Sequence, residues 1–305
     1  MTRALVPRAR DELARDFDLA IHDAEAPPPR GELLAAVRGA AGLVTILGDR
    51  VDAELLDAAG PALRVVANHA VGVDNVDLAA ARARGVVVAN TPDVLTRATA
   101  EFTLALLLAL ARRVVEGDRR LRRRERWQWA PTFMLGAGLS GRTLGVVGRG
   151  RIGGEVARLA EAFGMRVVHA SRGGGLPLDR LLAESDVVTL HCPLTPETRH
   201  LIGARALGLM RPAALLVNAA RGPVVDEEAL VRALEAGRLG GAALDVFERE
   251  PEVHPRLREL ENVVLAPHLG SATREAREAM GLLCAGALRA VLLEGRLPPN
   301  VVAAG

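Results

Sequence analysis

The chain of 305 residues contains no lysine and no tyrosine, only two cysteines, and few aromatic residues (2%). Without lysine, Schiff-base chemistry on a lysine side chain and a P-loop nucleotide site are both excluded. The absence of tyrosine removes the general acid of the short-chain reductases. Cys192 and Cys284 are too few for a disulfide framework and lack zinc-ligand spacing, so we predict packing roles for both thiols and no metal site.

Long apolar runs are also missing, although half of the residues are apolar. The longest candidate, residues 102–111, falls far short of the roughly 18 residues that a membrane span needs. The N-terminus has no apolar signal region. We therefore expect a soluble cytoplasmic protein without a membrane partner.

Charge of one sign is not in large excess, since the formal net charge is only +2. The arginine-rich segment 119–126 has aromatic neighbours only at Trp127 and Trp129, and acidic residues elsewhere balance its charge. We interpret it as a solvated or interface helix face, and we expect no nucleic-acid partner.

Short β-branched runs alternate with helical patterns along the first third of the chain. The candidate strands are 4–6, 18–21, 43–47, 64–68 and 86–90. The candidate helices lie near 31–38, 52–58 and 76–84. This alternation favours a parallel sheet with helices on both faces.

Glycines follow a further predicted strand, 143–147, in the motif Gly148-Arg-Gly150-Arg-Ile-Gly153. Gly148 permits a tight turn, Gly150 lets the backbone approach a pyrophosphate, and Gly153 lets the next helix pack closely on the strand. The N-terminus of that helix offers unpaired N–H groups to phosphates. The strand before the motif and the helix after it favour a dinucleotide site over a glycine-rich turn without a ligand.

The mid-chain position of this motif indicates two domains. A long helix is predicted at about 96–124 and a last helix at about 273–293, with further strands at 143–147, 166–169, 186–191, 214–218, 241–244 and 262–265. The pattern predicts an α/β fold of two doubly wound parallel-sheet domains, with a Rossmann cofactor domain inserted into a flavodoxin-like substrate domain. We place the substrate domain at 1–97 plus 284–305 and the dinucleotide-binding domain at 98–283.

The next strand bears on the type of dinucleotide. An NAD site has an acidic residue about 20 positions after the glycines, where it accepts from the ribose 2′-hydroxyl. This chain has Ser171 and Arg172 instead, and a hydroxyl with a guanidinium suits a 2′-phosphate. We therefore expect NADP(H) to be preferred and NAD(H) to remain usable. In the alternative interpretation, Arg172 only begins a solvated loop.

Three polar segments follow predicted strands of the second domain, and nucleotide binding alone does not require them. They are Asn218-Ala-Ala-Arg221-Gly222, Leu244-Asp245-Val-Phe-Glu-Arg-Glu250-Pro251 and Ala266-Pro267-His268-Leu-Gly270-Ser271. The ends of parallel strands meet at one edge of the sheet, so we expect these segments to converge beside the nicotinamide. Hydride reduction of a ketone leaves a developing alkoxide, which calls for a cation and a proton donor. Arg221 and His268 have these properties, and a carboxylate such as Glu250 favours the charged form of a histidine.

With these segments the chain resembles the D-isomer-specific 2-hydroxyacid dehydrogenases, and within that family it looks closest to glyoxylate/hydroxypyruvate reductases. The resemblance covers essentially the whole chain. Other motifs that carry it, in fixed order, are Ala70-Val-Gly72-Val-Asp74-Asn75-Val-Asp77, Asn90-Thr-Pro92, Thr99-Ala-Glu101 and Pro193-Leu-Thr195.

The resemblance implies roles for individual residues. Arg221 would bind the substrate carboxylate and polarise the carbonyl, His268 would donate the proton, and Glu250 would orient the histidine. The backbone N–H groups of Val71 and Gly72 would hold the other end of the carboxylate. In the alternative interpretations without a catalytic role, Arg221 is a surface ion-pair residue, Glu250 a loop carboxylate and His268 a turn histidine.

The resemblance also implies which residues contact the dinucleotide. They are Gly148, Arg149, Gly150, Arg151, Ile152, Gly153, Ser171, Arg172, Cys192, Pro193, Ala219, Ala220, Asp245, His268 and Gly270. Asp245 would contact the nicotinamide carboxamide, although an aspartate at a strand end often only caps a loop. A homodimer is implied as well, through the long helix and the arm Trp127-Gln-Trp129-Ala-Pro131.

We predict an NADP(H)-preferring reductase that converts glyoxylate or hydroxypyruvate to glycolate or D-glycerate. Within the same chemistry, the alternatives are D-3-phosphoglycerate dehydrogenase and other D-2-hydroxyacid dehydrogenases. From another class, the alternative is an NAD(P)H-sensing interaction protein resembling the corepressor relatives of the family. The turn Leu47-Gly-Asp-Arg50 and His69 depart from the family pattern near the substrate, which leaves the 2-keto acid open. We expect His69, His191 and His200 to be structural, with His69 also a candidate to line the pocket.

Overall fold

The computed structural model describes residues 1–24 and 26–304. The α-helices are α1 Pro7–Ala14, α2 Arg30–Ala36, α3 Ala53–Ala59, α4 Leu78–Ala83, α5 Thr96–Ala111, α6 Val114–Arg122, α7 Arg151–Ala162, α8 Leu178–Glu184, α9 Ala204–Leu209, α10 Glu227–Glu235, α11 Pro255–Glu259 and α12 Arg274–Leu292. The strands are β1 Gly42–Thr45, β2 Val65–Asn68, β3 Val87–Ala89, β4 Thr143–Val147, β5 Arg166–Ser171, β6 Gly174–Gly175, β7 Val187–Leu190, β8 Leu215–Asn218, β9 Gly241–Leu244, β10 Val263–Leu265 and β11 Val301–Ala303. A short 3-10 helix spans Gly222–Val224.

The chain forms two compact domains. Domain 1 comprises Met1–Leu95 with Ala272–Gly305, and domain 2 comprises Thr96–Ser271. The second crossing between domains therefore precedes α12, whereas the sequence placed it after residue 283. The reason is the packing of α12, because its Cys284 and Leu288 belong to the same apolar core as Val65 of β2. The whole helix thus belongs to domain 1.

The sheet of domain 1 has the strand order β1-β2-β3-β11. Strands β1, β2 and β3 run parallel, and β11 pairs antiparallel with β3. The predicted strands 4–6 and 18–21 do not form. Pro7 begins α1 directly after the first of them, and the N-terminal segment makes only separate hydrogen bonds, such as Thr2 N–H to the Val44 carbonyl (3.1 Å) and His22 N–H to the Met1 carbonyl (3.1 Å).

The sheet of domain 2 has the order β10-β9-β8-β7-β4-β5-β6, parallel except for the two-residue β6. From β4 the chain proceeds to β5 on one side and to β7 on the other, which creates a topological switch point at the end of β4. Helices α5 and α7 cover one face through residues such as Leu107 and Val156. Helices α8 to α10 cover the other through residues such as Leu181 and Leu230. The expected pair of parallel-sheet α/β domains, one of them a Rossmann domain, is confirmed.

The long helix predicted at 96–124 is divided into α5 and α6. Arg113 lies between them in the left-handed region, with φ 54°. This backbone conformation ends a helix, but it is energetically unfavourable for a residue other than glycine. Its guanidinium donates two hydrogen bonds of 2.7 Å to the Glu116 carboxylate in the first turn of α6. These bonds compensate for the break.

Among the residues that the structure describes, no helix combines the length and the apolarity that crossing a membrane would require.

Candidate active site

The glycine turn lies at the switch point of the domain 2 sheet, between β4 and α7. Gly148 has φ 91°, and a Cβ atom there would stand 2.7 Å from the Cys192 nitrogen. At Gly153, a Cβ atom would overlap the Gly148 carbonyl oxygen. Backbone packing alone therefore requires glycine at both positions, as the sequence pattern predicts.

Gly150 differs, because no atom lies within 4 Å of the position its Cβ would occupy. The protein itself does not need glycine here, so the open space is available to a ligand. Gly150 is the N-cap of α7, no side chain caps this helix, and its first turn holds no acidic residue. Uncapped N–H groups under open space fit the pyrophosphate of a dinucleotide.

Ser171 and Arg172 lie at the end of β5, next to β4 in the sheet. The Ser171 hydroxyl donates to the Gly174 carbonyl (3.0 Å), which ties it into the β5-β6 hairpin. The Arg172 side chain is exposed. A hydrogen bond from Thr195 and, to a smaller extent, the charge of Arg172 hold the pKa of Glu197 below its ordinary value.

The remaining residues of the predicted nucleotide site lie in segments that follow strands of domain 2. They are Arg149, Arg151 and Ile152 after β4, Cys192 and Pro193 after β7, and Ala219 and Ala220 after β8. Burial raises the pKa of the Cys192 thiol and raises that of Cys284 to about 12. Neither thiol is a nucleophile at neutral pH, in line with packing roles.

Arg221 occupies a short loop after β8 that Asn218 shapes. The side-chain amide of Asn218 donates to the Arg221 carbonyl (2.9 Å), and its oxygen accepts from the Ala220 N–H (3.1 Å). At Gly222, a Cβ atom would overlap the Phe247 carbonyl oxygen. The backbone after β8 thus rests directly on the backbone after β9. Sequence reasoning quoted Asn218 and Gly222 within a motif but gave them no role.

His268 and Glu250 form a hydrogen-bonded pair in domain 2. The His268 Nδ1 lies 2.9 Å from Glu250 Oε2, and Glu250 Oε1 accepts from the Phe247 N–H (3.0 Å). Burial by itself would raise the pKa of Glu250, but the hydrogen bond and charge of His268, the Phe247 N–H and the charge of Arg221 together lower it. An ionised Glu250 accepts a hydrogen bond from the Nδ1–H group, which leaves Nε2 for proton exchange with a substrate.

The backbone of His268 is held in the left-handed region, with φ 56°. Its N–H donates to the Asp245 carbonyl (2.8 Å). The Asp245 carboxylate, only 1% exposed, accepts from the N–H groups of Leu269 (2.6 Å) and Gly270 (2.8 Å). Burial raises the pKa of Asp245, although these hydrogen bonds oppose the shift. Asp245 therefore caps the loop that carries His268, and its predicted contact with the carboxamide stays a prediction.

Val71 and Gly72 lie in domain 1, in the loop that follows β2. Their carbonyl oxygens accept hydrogen bonds from the side-chain amides of Asn90 (2.7 Å) and Asn68 (3.0 Å), respectively. Asn90 belongs to one of the sequence motifs and Asn68 ends a predicted strand, but nothing in the pattern assigned either amide to these carbonyls.

The three histidines that we expect to be structural have partners within the protein. Burial lowers the pKa values of His69 and His191 to about 4, so both rings are neutral at physiological pH. The His69 Nε2 lies 3.3 Å from the Arg277 carbonyl of α12, and the His191 Nε2 lies 2.9 Å from the Thr189 hydroxyl. The His200 Nε2 lies 2.6 Å from Glu248.

Comparison with known proteins places the chain in a family. The model of the D-isomer specific 2-hydroxyacid dehydrogenase NAD binding domain matches residues 104–270, which lie within domain 2. The chain belongs to the D-isomer specific 2-hydroxyacid dehydrogenase family, as the motifs predict. It is accordingly a dehydrogenase that depends on a nicotinamide dinucleotide.

Individual relatives are similar to this chain over nearly its whole length. A glyoxylate reductase from Aeropyrum pernix is 48% identical, over 99% of this chain and 94% of the relative. The crystal structure of the TT0316 protein from Thermus thermophilus is similar with a TM-score of 0.94 and 50% identity, covering 99% of this chain and 98% of that one. A third similar structure is that of an NADPH-dependent glyoxylate/hydroxypyruvate reductase from Sinorhizobium meliloti in complex with NADP and malonate. Its TM-score is 0.83 and its sequence identity 35%, over 98% of this chain and 94% of that one.

Proposed function

We propose that the protein reduces glyoxylate and hydroxypyruvate to glycolate and D-glycerate, with NADPH as the preferred reductant. The observation that carries the proposal is the His268–Glu250 pair (2.9 Å) on loops that follow β9 and β10 of the same sheet whose glycine turn suits a dinucleotide. The relatives named glyoxylate reductase support the choice of substrate.

In the proposed mechanism, Arg221 and the N–H groups of Val71 and Gly72 bind the substrate carboxylate. A reduced nicotinamide dinucleotide held at the glycine turn would supply the hydride for the carbonyl carbon. His268 donates its Nε2 proton to the carbonyl oxygen, so that the carbonyl group becomes a hydroxyl group. Arg221 offsets the negative charge that develops on that oxygen. Glu250 keeps its hydrogen bond to Nδ1 and thereby orients the ring, with Nε2 left for the substrate.

The cofactor preference rests on the end of β5. Ser171 and Arg172 stand where an NAD site carries a carboxylate, and the Arg172 side chain is exposed. A guanidinium offers a planar pair of donors to a 2′-phosphate. NADH lacks this phosphate and would bind without the additional contact.

The proposed function is tested by steady-state kinetics of the purified protein with NADPH and NADH. The substrates are glyoxylate, hydroxypyruvate, pyruvate and 3-phosphohydroxypyruvate, followed by the loss of nicotinamide absorbance. We expect the highest kcat/KM with NADPH and one of the first two acids. A preference for 3-phosphohydroxypyruvate would identify a phosphoglycerate dehydrogenase. Measurable NADPH binding without turnover of any acid would favour a nucleotide-sensing interaction protein.

We also propose that the protein is a homodimer. Trp127 and Trp129 are 60% and 76% exposed, and Leu135 in the same segment is 64% exposed. Large apolar side chains gathered in one exposed segment favour a protein interface. A second copy of this chain is the proposed partner.

A further inference from the structure

Three consecutive carbonyl groups in the loop after β2 are each held by a hydrogen bond. The Ala70 carbonyl accepts from the Thr91 N–H (2.8 Å), the Val71 carbonyl from Asn90 Nδ2 (2.7 Å), and the Gly72 carbonyl from Asn68 Nδ2 (3.0 Å). Thr91 and Asn90 follow β3, and Asn68 ends β2. The orientation of three successive peptide groups is therefore fixed from within domain 1.

Each of these bonds also sets the direction of an N–H group. In a trans peptide, the N–H of the next residue points opposite to the carbonyl. The N–H groups of Val71, Gly72 and Val73 therefore point away from the residues that hold the carbonyls. None of the three donates a hydrogen bond to any residue that the structure describes. Successive backbone N–H groups without a protein acceptor are available to an anionic ligand.

The amide of Asn68 is itself fixed by a buried network. Asn68 is 0% exposed, and its oxygen accepts from the Thr45 hydroxyl (3.0 Å). Its Nδ2 donates to the oxygen of Asn75 (3.0 Å), and the Asn75 amide approaches the Asn68 oxygen in return (3.2 Å). This reciprocal pair determines which end of Asn68 faces Gly72.

Asn75 extends the network to a second loop. Its Nδ2 donates to the carbonyls of Ile46 (3.0 Å) and Asp49 (2.9 Å), in the turn that follows β1. Asp49 in turn accepts from the Ile46 N–H (2.8 Å) and from the Thr2 hydroxyl. The turn after β1 and the loop after β2 are thus parts of one hydrogen-bonded unit.

We propose that Asn68, Asn75 and Asn90 are positioning residues that orient the N–H groups of Val71, Gly72 and Val73 toward a substrate carboxylate. The proposal rests on the proposed function, in which this loop binds the carboxylate of a 2-keto acid. Val71, Gly72 and Val73 are only half-buried, so their N–H groups can bond to water or, in its place, to a substrate carboxylate. The network fixes the donors before the substrate arrives, which reduces the ordering cost of binding.

The test uses two variants that disturb different peptides. Asn68→Asp places an oxygen opposite the Gly72 carbonyl, and Asn90→Ala removes the donor to Val71 while leaving the Asn68–Asn75 pair intact. We expect each to raise the KM for glyoxylate at least tenfold, with kcat changed less than threefold and the Kd for NADPH unchanged. This pattern is that of lost uniform binding of the substrate.

Asp52→Ala is the matched control for stability. Asp52 caps α3 in the same domain by accepting from the Leu55 N–H (3.1 Å), and it touches none of the three carbonyls. We expect it to lower the melting temperature and leave KM unchanged. The proposal is overturned if Asp52→Ala raises KM as much as Asn90→Ala does, or if both asparagine variants keep the wild-type KM. If Asn68→Asp does not fold, Asn90→Ala alone decides.

Calorimetry with oxalate separates this proposal from the proposed function. An active wild type with unchanged KM in the asparagine variants leaves the function standing and contradicts the positioning role. A wild type without turnover that binds oxalate, with at least tenfold weaker binding in Asn90→Ala, contradicts the function and supports the positioning role. A wild type that neither turns over 2-keto acids nor binds oxalate overturns both.

Discussion

At the scale of single residues, the proposed acid His268 is held by one partner at its ring and by another at its backbone. Glu250 bonds its ring at Nδ1, while Asp245 holds its backbone through the adjoining loop. A left-handed conformation at a residue other than glycine or asparagine costs on the order of 1–3 kcal/mol. The Asp245 hydrogen bonds offset that cost and keep the imidazole within reach of Glu250.

Replacing His268 by alanine tests the role of the ring. We expect His268→Ala to lower kcat for glyoxylate by about 10²–10⁴, the usual contribution of general acid catalysis. The Kd for NADPH should change little, because His268 is one of many predicted dinucleotide contacts and most of the others lie on the glycine turn and at the end of β5. His22→Ala, which removes a half-buried histidine of domain 1, is the control and should retain full activity. A large loss of NADPH affinity in His268→Ala would contradict the assignment.

The lowered pKa of Glu250 leads to a prediction about the pH dependence of the activity. The carboxylate stays ionised as the pH falls to its ordinary pKa of 4.5, so the wild-type pair with His268 is lost only below that value. Glu250→Gln replaces the carboxylate by an amide that does not titrate. We expect the wild-type kcat/KM for reduction to fall at acid pH, below 4.5, as Glu250 is protonated, and we expect this fall to be absent from Glu250→Gln, whose kcat/KM is lower throughout. Superimposable pH profiles of the two proteins would refute the orienting role of Glu250.

The proposed cofactor preference rests on Arg172. Arg172→Asp removes a donor pair for the 2′-phosphate and introduces an acceptor for a ribose hydroxyl. We expect the ratio of kcat/KM with NADPH to that with NADH to fall by about tenfold to 100-fold, the worth of a charge-assisted hydrogen bond. Arg238→Asp makes the same charge change at an exposed site after α10 and should leave the ratio unaltered. An unchanged ratio in Arg172→Asp would mean that Arg172 only begins a solvated loop.

At the scale of elements, the site depends on contact between two loops that are far apart in sequence. The loop after β8 carries Arg221, the loop after β9 carries Glu250, and they meet where Gly222 lies against Phe247. There is no room for a Cβ atom at that contact. The spacing of the two functional groups is therefore set by backbone packing rather than by their own side chains.

Gly222→Ala tests this dependence. The added methyl group would push the two loops apart and displace Arg221 relative to the His268–Glu250 pair. Since small misplacements of reacting groups cost about 100-fold, we expect kcat/KM to fall by at least that factor, with native circular dichroism. Gly208→Ala in α9 is the control, because nothing lies within 4 Å of its Cβ position. Wild-type activity in Gly222→Ala would contradict the proposed coupling.

Elements bounded by local signals could be predicted from the sequence, and those set by distant contacts could not. Strand β4 has the predicted bounds because an apolar run ends there in glycines. The break between α5 and α6 at Arg113 could not be predicted, because no glycine or proline marks it and it depends on packing and on Glu116. The segments 4–6 and 18–21 have the composition of strands but find no ladder of partners.

The candidate site likewise combines features that the sequence predicts with features that depend on distant contacts. The sequence predicts that the segments with Arg221, Glu250 and His268 converge, because each follows a parallel strand and such ends meet at one edge. The roles of the three residues are implied by the family resemblance and stay predictions. The cap that Asp245 forms and the overlap that excludes a side chain at Gly222 are relations between backbones of separate loops. No pattern of residues along the chain encodes those distances directly.

At the scale of the whole molecule, exposed apolar surface on domain 2 bears on assembly. A cavity of about 410 Å³ lies at the end of α5, lined by apolar residues such as Leu110, Leu139 and Val264. Leu135 also lines it and belongs to the same segment as Trp127 and Trp129. In a two-fold symmetric dimer the same patch of both copies forms the contact, so exposed indole rings beside a cavity would both lie within one interface.

The assembly is tested by sedimentation of the wild type and of the double variant Trp127→Arg/Trp129→Arg. The chain mass is 32.2 kDa, and we expect the wild type to sediment at about twice this value and the variant at the chain mass. Aromatic side chains at the centre of an interface carry much of its binding energy, and buried unpaired arginines would oppose association. Leu293→Arg, which alters a 57% exposed apolar residue of domain 1, should leave the dimer intact. A wild type that sediments as a monomer, or a double variant that remains dimeric, would exclude this segment as the interface.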